Sequence, residues 1–313
     1  MNKARRILLI ALLGGLAFAA ASCSTCRRAP APAKKELIVR FLDVGQGDAA
    51  LLELPGGEKI LIDSGPTDSP ALKLLEQFDV NRLDLVVATH PHEDHIGRMR
   101  DIMRQFQIGE FWDSGFAHPT RTYREMLEEI KRRKIKLQLP RRGTQRQFGP
   151  VSIEVLHPGE TLPEEANNAS LVLKVSYGQQ SFLFTGDAEL EAWREMLSLV
   201  GHDKMRADVM KAAHHGSSNG ISKEILEAVQ PSAIIISCGA GNDYHHPHPR
   251  TIKLLASRRN FVRLYRTDLQ GTITAATDGQ KLEITAERLV AQDDLYMTGD
   301  EVAGRGRERG MMR

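Results

Sequence analysis

The sequence predicts an α/β protein built from two sheets packed face to face, with helices on the outside. Three observations carry this. Apolar runs of strand length alternate with amphipathic runs of helix length through the body of the chain. The strand-like runs fall into two groups, each flanked by helices. The composition, 41% hydrophobic and 26% charged over 313 residues, is that of an ordinary globular protein and excludes collagen, coiled coil and wholesale disorder. The alternation by itself also fits a generic α/β protein.

The elements follow in order. Residues 36–44 read as a strand, and 49–54 and 59–62 as two more, with Pro55-Gly56-Gly57 turning between them. Three consecutive strands joined by a tight turn predict an antiparallel start. Residues 69–78 read as a helix. Residues 83–88 (L-D-L-V-V-A) form a buried strand that stops at Thr89-His90. Helices are expected over 96–106 and 120–134, and strands over 151–156, 170–176 and 181–184. The second half alternates helix 189–200, strand 207–212, helix 222–229, strand 233–237 and helix 250–259, with strands near Val262 and Ile273 closing the body. No internal repeat is evident. Residues 291–313, polar and rich in Gly, Arg and Glu, are expected to be a disordered tail.

The N-terminus reads as an address. Lys3, Arg5 and Arg6 precede a run of 15 apolar or glycine residues, Ile7 to Ala21, and small residues follow. This is the layout of a secretory signal over residues 1–22. The run is short for a membrane-spanning helix, which needs ~20 residues; a permanent N-terminal anchor helix is the alternative. Ala20-Ala21-Ser22-Cys23 resembles a bacterial lipoprotein box, with Ala20 where that pattern prefers Leu. Residues 23–35 then read as a tether ahead of the main folded domain over 36–290. The expectation is a protein exported across the cytoplasmic membrane, secreted or held there only by a lipid anchor. No protein partner is inferred.

Net charge is +2, from 42 Lys and Arg against 40 Asp and Glu; without residues 1–22 it is −1 (39 against 40). A globally basic nucleic-acid binder is not supported. Three cysteines cannot make a disulfide scaffold, and Cys238 reads as a buried strand-end residue.

Eight of the 11 histidines fall in three short clusters, at 90–95, 214–215 and 245–248. Each cluster follows a predicted strand, where side chains can converge at one sheet edge. The sharpest is H-P-H-E-D-H, His90 to His95. In an extended loop, side chains at i and i+2 point to one side, so His90 and His92 can grip one metal. Asp94 and His95 then turn toward a neighbouring position. This mixture of nitrogen and carboxylate ligands suits Zn, Mn or Fe.

H-x-H-x-D-H after a strand resembles the metal motif of the metallo-β-lactamase superfamily. The phrases F-L-D-V-G-Q-G-D-A, L-I-D-S-G-P, N-N-A-S-L-V-L, F-L-F-T-G-D-A-E, H-H-G-S and H-P-H-P occur in order. With Y-R-T-D and Gly271 they resemble the hydrolase domain of ComEC-type competence proteins, over roughly residues 37–286. The resemblance lacks that family's membrane channel, so it implies hydrolase chemistry and not DNA transport. It implies a four-layer αββα sandwich holding two divalent metal ions, Zn or Mn.

Carried over residue by residue, the resemblance makes His90, His92, Asp94 and His95 metal ligands. Asp187, in T-G-D, resembles the carboxylate that bridges two metals; its alternative is a helix N-cap. Asp63 resembles the early Asp that orients the metal loop, and an ordinary turn carboxylate is its alternative. The superfamily's Gly-His-Thr phrase is missing. Of the two histidines in that interval, His118 and His157, the second follows a predicted strand and is the better candidate ligand. For the last ligand His215 is favoured, with His214 beside it outside the ligand set, and His246 as ligand or substrate contact. His245 and His248 are expected at the surface. Two ions sharing a hydroxide would attack a phosphorus or carbonyl centre. Asp94, His215 and Lys211 are the expected catalytic side chains, Lys211 stabilising an oxyanion or protonating a leaving group unless it is a strand lysine facing water.

Residues 121–146 carry ten basic side chains against three acidic ones. Beside the metal edge they would favour single-stranded nucleic acid or another phosphodiester; otherwise they are a solvated helix face. The leading expectation is an extracytoplasmic phosphodiesterase or nuclease. The alternatives are another ester, lactone or β-lactam as substrate, or a non-catalytic metal-containing module that binds nucleic acid.

Overall fold

A computed structural model describes residues 36–311. The expected signal segment, lipid-box cysteine and tether lie outside the described residues. The first half runs β1 (Leu37–Phe41), β2 (Ala50–Glu53), β3 (Lys59–Ile62), α1 (Ala71–Gln77), β4 (Arg82–Ala88), α2 (Glu93–Ile96), α3 (Met99–Gln105), β5 (Gln107–Asp113), α4 (Arg121–Arg133) and β6 (Lys136–Gln138). Next come β7 (Gln145–Phe148), β8 (Val151–His157), β9 (Val172–Tyr177), β10 (Gln180–Phe184), α5 (Leu190–Leu199), α6 (His202–Met205), β11 (Val209–Lys211), α7 (Lys223–Val229) and β12 (Ala233–Ile236). The chain ends with α8 (Pro249–Ala256), β13 (Arg263–Arg266), α9 (Thr267–Gln270), β14 (Ile273–Thr277), β15 (Leu282–Ala286) and α10 (Gly299–Met311).

Two sheets form. The first has the order β15-β14-β1-β2-β3-β4-β5-β6 and the second β13-β12-β11-β10-β9-β8-β7. β1, β2 and β3 pair antiparallel, as the tight turn at Pro55 predicts. Alternation does the packing. In β1, Leu37, Val39 and Phe41 are buried while Ile38 and Arg40 are partly covered. Those inward residues join Val151, Ile153, Val155, Phe182 and Val209 of the second sheet in one core between the sheets. The outer face of the first sheet packs on α1, α3 and α4 through Leu75, Met99, Ile102 and Met126. The outer face of the second packs on α5, α7 and α8 through Trp193, Ile225 and Ile252. The result is the predicted αββα sandwich.

Two expectations need correction. β5, β6, β7 and β15 were not anticipated. β6 (K-L-Q) and β7 (Q-R-Q-F) are short, exposed edge strands with no apolar alternation to announce them. Residues 291–313 are also not a structureless tail. Gln292–Tyr296 forms a 3-10 turn, and Gly299–Met311 is helical. Leu295 is buried in the outer core of the second sheet. The buried Arg266 guanidinium donates to the carbonyls of Leu295 and Met297. A few apolar anchors and one arginine suffice to dock a segment whose composition is otherwise polar.

Candidate metal centre

β4 delivers His90 to the edge where the strand ends, and α2 starts at once. His92 is the N-cap in extended conformation, and Asp94 and His95 lie in the single short helix that follows. His90 Nε2 is 3.1 Å from His92 Nδ1. Buried Asp63 anchors the loop from β3. Its carboxylate accepts from the Thr89 backbone (2.8 Å) and hydroxyl (2.7 Å), and it faces His95 Nδ1 at 2.8 Å. This leaves His95 Nε2 turned inward. The G-Q-G-D turn closes over the same loop. Asp48 N donates to the Asp94 carbonyl, and a Cβ on Gly47 would lie 2.2 Å from that oxygen. Only glycine fits there.

The second sheet supplies the other half. Asp187 follows β10 and is fully buried, its backbone N–H donating to Ser170 Oγ at 3.1 Å. Its Oδ1 is 3.3 Å from His95 Nε2, and its Oδ2 is 3.4 Å from His215 Nε2, 3.8 Å from His214 Nε2 and 3.9 Å from His90 Nε2. One carboxylate therefore faces four imidazoles. His215 Nε2 is also 3.1 Å from Asp94 Oδ2, while its Nδ1 lies 2.9 Å from the Ser237 carbonyl and 3.3 Å from Asp48 Oδ1.

The buried charges hold one another. Burial opposes ionisation of Asp187, but His215, His95 and Lys211 outweigh it and keep its carboxyl well below the usual range. Burial likewise opposes charge on His95 and His215, yet the surrounding carboxylates, Asp187 foremost, hold both well above an ordinary histidine. His90, with burial dominant, is held well below.

Ligand atoms of Asp48, His95, Asp187 and His215 lie within 4.8 Å of one another, all buried, so these residues could hold a divalent ion. The directions of the rings decide which carboxylate belongs. Asp48 sits on the Nδ1 side of His215 and is paired with Lys211. Asp94 sits on the Nε2 side, where Asp187 and His95 also converge. Asp94, His95, Asp187 and His215 are the better set; the Ser237 carbonyl orients His215 much as Asp63 orients His95, and Asp48 lies beside it as a nearby charge. Sequence reasoning missed Asp48 as a site residue, although the G-Q-G-D phrase carried it.

Three sequence expectations are corrected. His157 is buried, but Nε2 donates to the Asn168 carbonyl (2.6 Å) and Nδ1 faces Glu195 at 4.0 Å. Both nitrogens look at partners outside the cluster, so it offers no ligand atom there. Lys211 is neither water-facing nor free to protonate a leaving group. It is 3% exposed, its ammonium donates to the Gly186 carbonyl (2.9 Å), and it pairs with Asp48 and, at 3.5 Å, with Asp187. It neutralises the two carboxylates from behind. His248, expected at the surface, is half-buried: its ring accepts from Ser218 N and donates to the Tyr244 carbonyl.

His245 is exposed as expected and meets Asp300. His246 stands beside the cluster, its ring 5.4 Å from that of His214 and 6.0 Å from that of His215. Burial, then His215 and His214, push its pKa down to about 3.

The profile of the Metallo-beta-lactamase superfamily matches residues 42–239. The chain belongs to that superfamily. It is 30% identical to ComE operon protein 3 of Bacillus subtilis over 255 residues, which is 75% of this chain and 32% of the relative. It is 26% identical to competence protein ComA of Neisseria gonorrhoeae over 79% of this chain and 33% of the relative. The chain thus spans about a third of the length of these curated relatives. Among solved structures, Igni18, a metallo hydrolase from Ignicoccus hospitalis, superposes with a TM-score of 0.51 at 18% identity, over 76% of this chain and 98% of the other. The ComEC-type likeness read from the motifs and the superfamily's αββα fold are therefore shown. The fold and the buried Asp/His cluster together point to a dinuclear metal site.

Proposed function

We propose that this chain is a dinuclear-metal phosphodiesterase that acts on single-stranded nucleic acid outside the cytoplasm, held there by a lipidated N-terminus. The observation that carries the metal chemistry is Asp187, a single buried carboxylate whose Oδ1 faces His95 and whose Oδ2 faces His215, His214 and His90. One ion would be held by Asp94, His95, Asp187 and His215, and the other by His90, His92 and the shared Asp187 carboxylate. Zn or Mn suits these donors. Bound there, the pair of ions supplies a hydroxide of near-neutral pKa and a clamp for developing charge.

The chain's own residues set the geometry. Asp63 and the Ser237 carbonyl fix the rings of His95 and His215 so that Nε2 points inward. Lys211 offsets the carboxylate charge. His246, neutral at pH 7, stands at the edge of the cluster to hydrogen-bond a substrate oxygen.

The nucleic-acid reading rests on the relatives named for competence and on Tyr244. That ring is 62% exposed and stacks on His246 with centroids 5.8 Å apart, next to the metal residues. An exposed aromatic beside a phosphodiester site suits an unpaired base. The basic segment contributes less than its composition implies. Arg121 pairs with Glu125, Arg132 with Glu129, Lys136 and Arg146 with Glu110, and Arg142 with Glu195.

The test is hydrolysis of bis(p-nitrophenyl) phosphate and of a single-stranded oligonucleotide by the purified protein with Mn or Zn. EDTA and Asp94→Ala are expected to abolish both reactions. Full turnover by Asp94→Ala, or faster turnover of a lactone or β-lactam in a side-by-side panel, overturns the proposal. Tight, metal-independent DNA binding without turnover would replace the enzyme by a binding module. An intact Met1 terminus, seen by mass spectrometry in the native host, would remove the export reading.

A further inference from the structure

The superfamily's missing Gly-His-Thr histidine leaves the His90–His92 position with two histidines and the shared Asp187 carboxylate. We propose that His214 completes it, held in place by Glu189 and Asn167. This deepens the dinuclear reading above and rests on it.

The case starts with the backbone. Neighbours in an extended chain point to opposite sides, so adjacent histidines should not reach the same atom. Here His214 and His215 both adopt left-handed conformations, with φ of 51° and 52°. Such a conformation is costly for a residue with a Cβ, and it concentrates at functional sites. Its effect is to aim both rings at Asp187 Oδ2, at 3.8 Å and 3.4 Å.

The ring's other nitrogen repeats a pattern already met twice. His95 has Asp63 on Nδ1 and Asp187 on Nε2; His215 has the Ser237 carbonyl on Nδ1, with Asp48 3.3 Å away, and Asp187 on Nε2. His214 has Glu189 Oε1 beside Nδ1 at 3.2 Å, close but not aligned as a hydrogen bond, and Asp187 on Nε2. A carboxylate behind an imidazole fixes its tautomer and raises its basicity, the usual arrangement behind a metal-bound histidine. His214 Nε2 and His90 Nε2 are near-equidistant from the same oxygen, at 3.8 and 3.9 Å.

This arrangement also explains the Asn-Asn-Ala-Ser motif. Asn167 Nδ2 donates to Glu189 Oε1 at 2.9 Å. Asn168 Oδ1 accepts from the backbone N–H groups of Glu189 and Ala192, fixing the start of α5. Ser170 Oγ accepts from Asp187 N, and Leu171 N donates to the Thr89 carbonyl at 2.8 Å. The motif ties the Asp187 loop, the Glu189 carboxylate and the His90 loop together. His118 is the rival third ligand: its ring is 5.5 Å from that of His92 and its Nδ1 meets the Thr120 hydroxyl, but unlike His214 it makes no ion pair with Asp187 among the described residues.

The experiment is a Zn and a Co(II) titration of the metal-stripped full chain, read by calorimetry and by the visible spectrum of bound cobalt. The native protein is expected to bind two ions. His214→Asn, chosen because Asn tolerates the left-handed backbone, should bind one tightly and the other at least ~10-fold more weakly, with an altered cobalt spectrum. Glu189→Gln should weaken the same ion by about 10-fold. His118→Ala should match the native protein, and circular dichroism should show all three variants folded. Two ions bound with native affinity by His214→Asn, or loss of one in His118→Ala instead, overturns the inference and leaves the dinuclear reading standing. A native protein that binds fewer than two ions removes both.

Discussion

The Nε2 atoms of His95 and His215 stand 3.3 Å apart although 120 positions separate them in the chain. Both rings are held well above the ordinary histidine pKa by the carboxylates around them. Without a cation between them the carboxylates favour protons on these rings, and binding a metal displaces those protons.

Metal affinity should therefore fall with acidification. A ligand imidazole must lose its proton, and these two hold theirs to higher pH than free histidine does. Below their raised pKa values, apparent affinity for the tighter ion should drop by up to ~100-fold per pH unit, two protons being released. Calorimetry in buffers of different ionisation enthalpy measures the proton count directly. An affinity independent of pH would contradict the pairing.

Asp63→Asn should weaken metal binding without unfolding the chain. Asn accepts the left-handed backbone that Asp63 adopts (φ 59°) and can still accept from Thr89. It removes the charge that holds His95. The expected loss is ~10–100-fold in affinity, read by the same titration.

His157 carries a pH signature of its own. Burial holds its imidazole below the ordinary value of 6.5, against the opposing pull of the Asn168 carbonyl and Glu195. The folded state keeps it neutral while the unfolded chain takes up a proton. The stability this supports is present above that value and is lost as pH falls through it. Chemical denaturation of the native protein and His157→Gln between about pH 5 and pH 7.5 should show a shallower acid decline in the variant. Equal slopes would place the titration elsewhere.

Leu295 tests the docked C-terminal segment. It is 4% exposed among core residues of the second sheet. Leu295→Ala should cost about 2–5 kcal/mol of stability. A loss below about 0.5 kcal/mol, the range of surface substitutions, would mean the segment contributes little to the fold.

Local pattern made part of this legible and hid the rest. H-x-H-x-D-H announces itself because its spacing acts within one loop, and the alternation in β1 and the apolar run of β4 announce buried strands. β6 and β7 carry no such signal, because edge strands bury little. Lys211 looked like a lysine free for catalysis because a sequence does not say which carboxylates close on an ammonium. His157 looked like a ligand because a strand end near a metal motif says nothing of where the ring points.

The αββα layering, the family likeness and the H-x-H-x-D-H loop were legible in the residues alone, because all three are properties of short-range periodicity and contiguous motifs. Folding alone put the Ser237 carbonyl behind His215, closed two carboxylates on Lys211 and brought His214 to Asp187. Those facts depend on which side of a ring faces which neighbour, and that is fixed when two sheets close on one core.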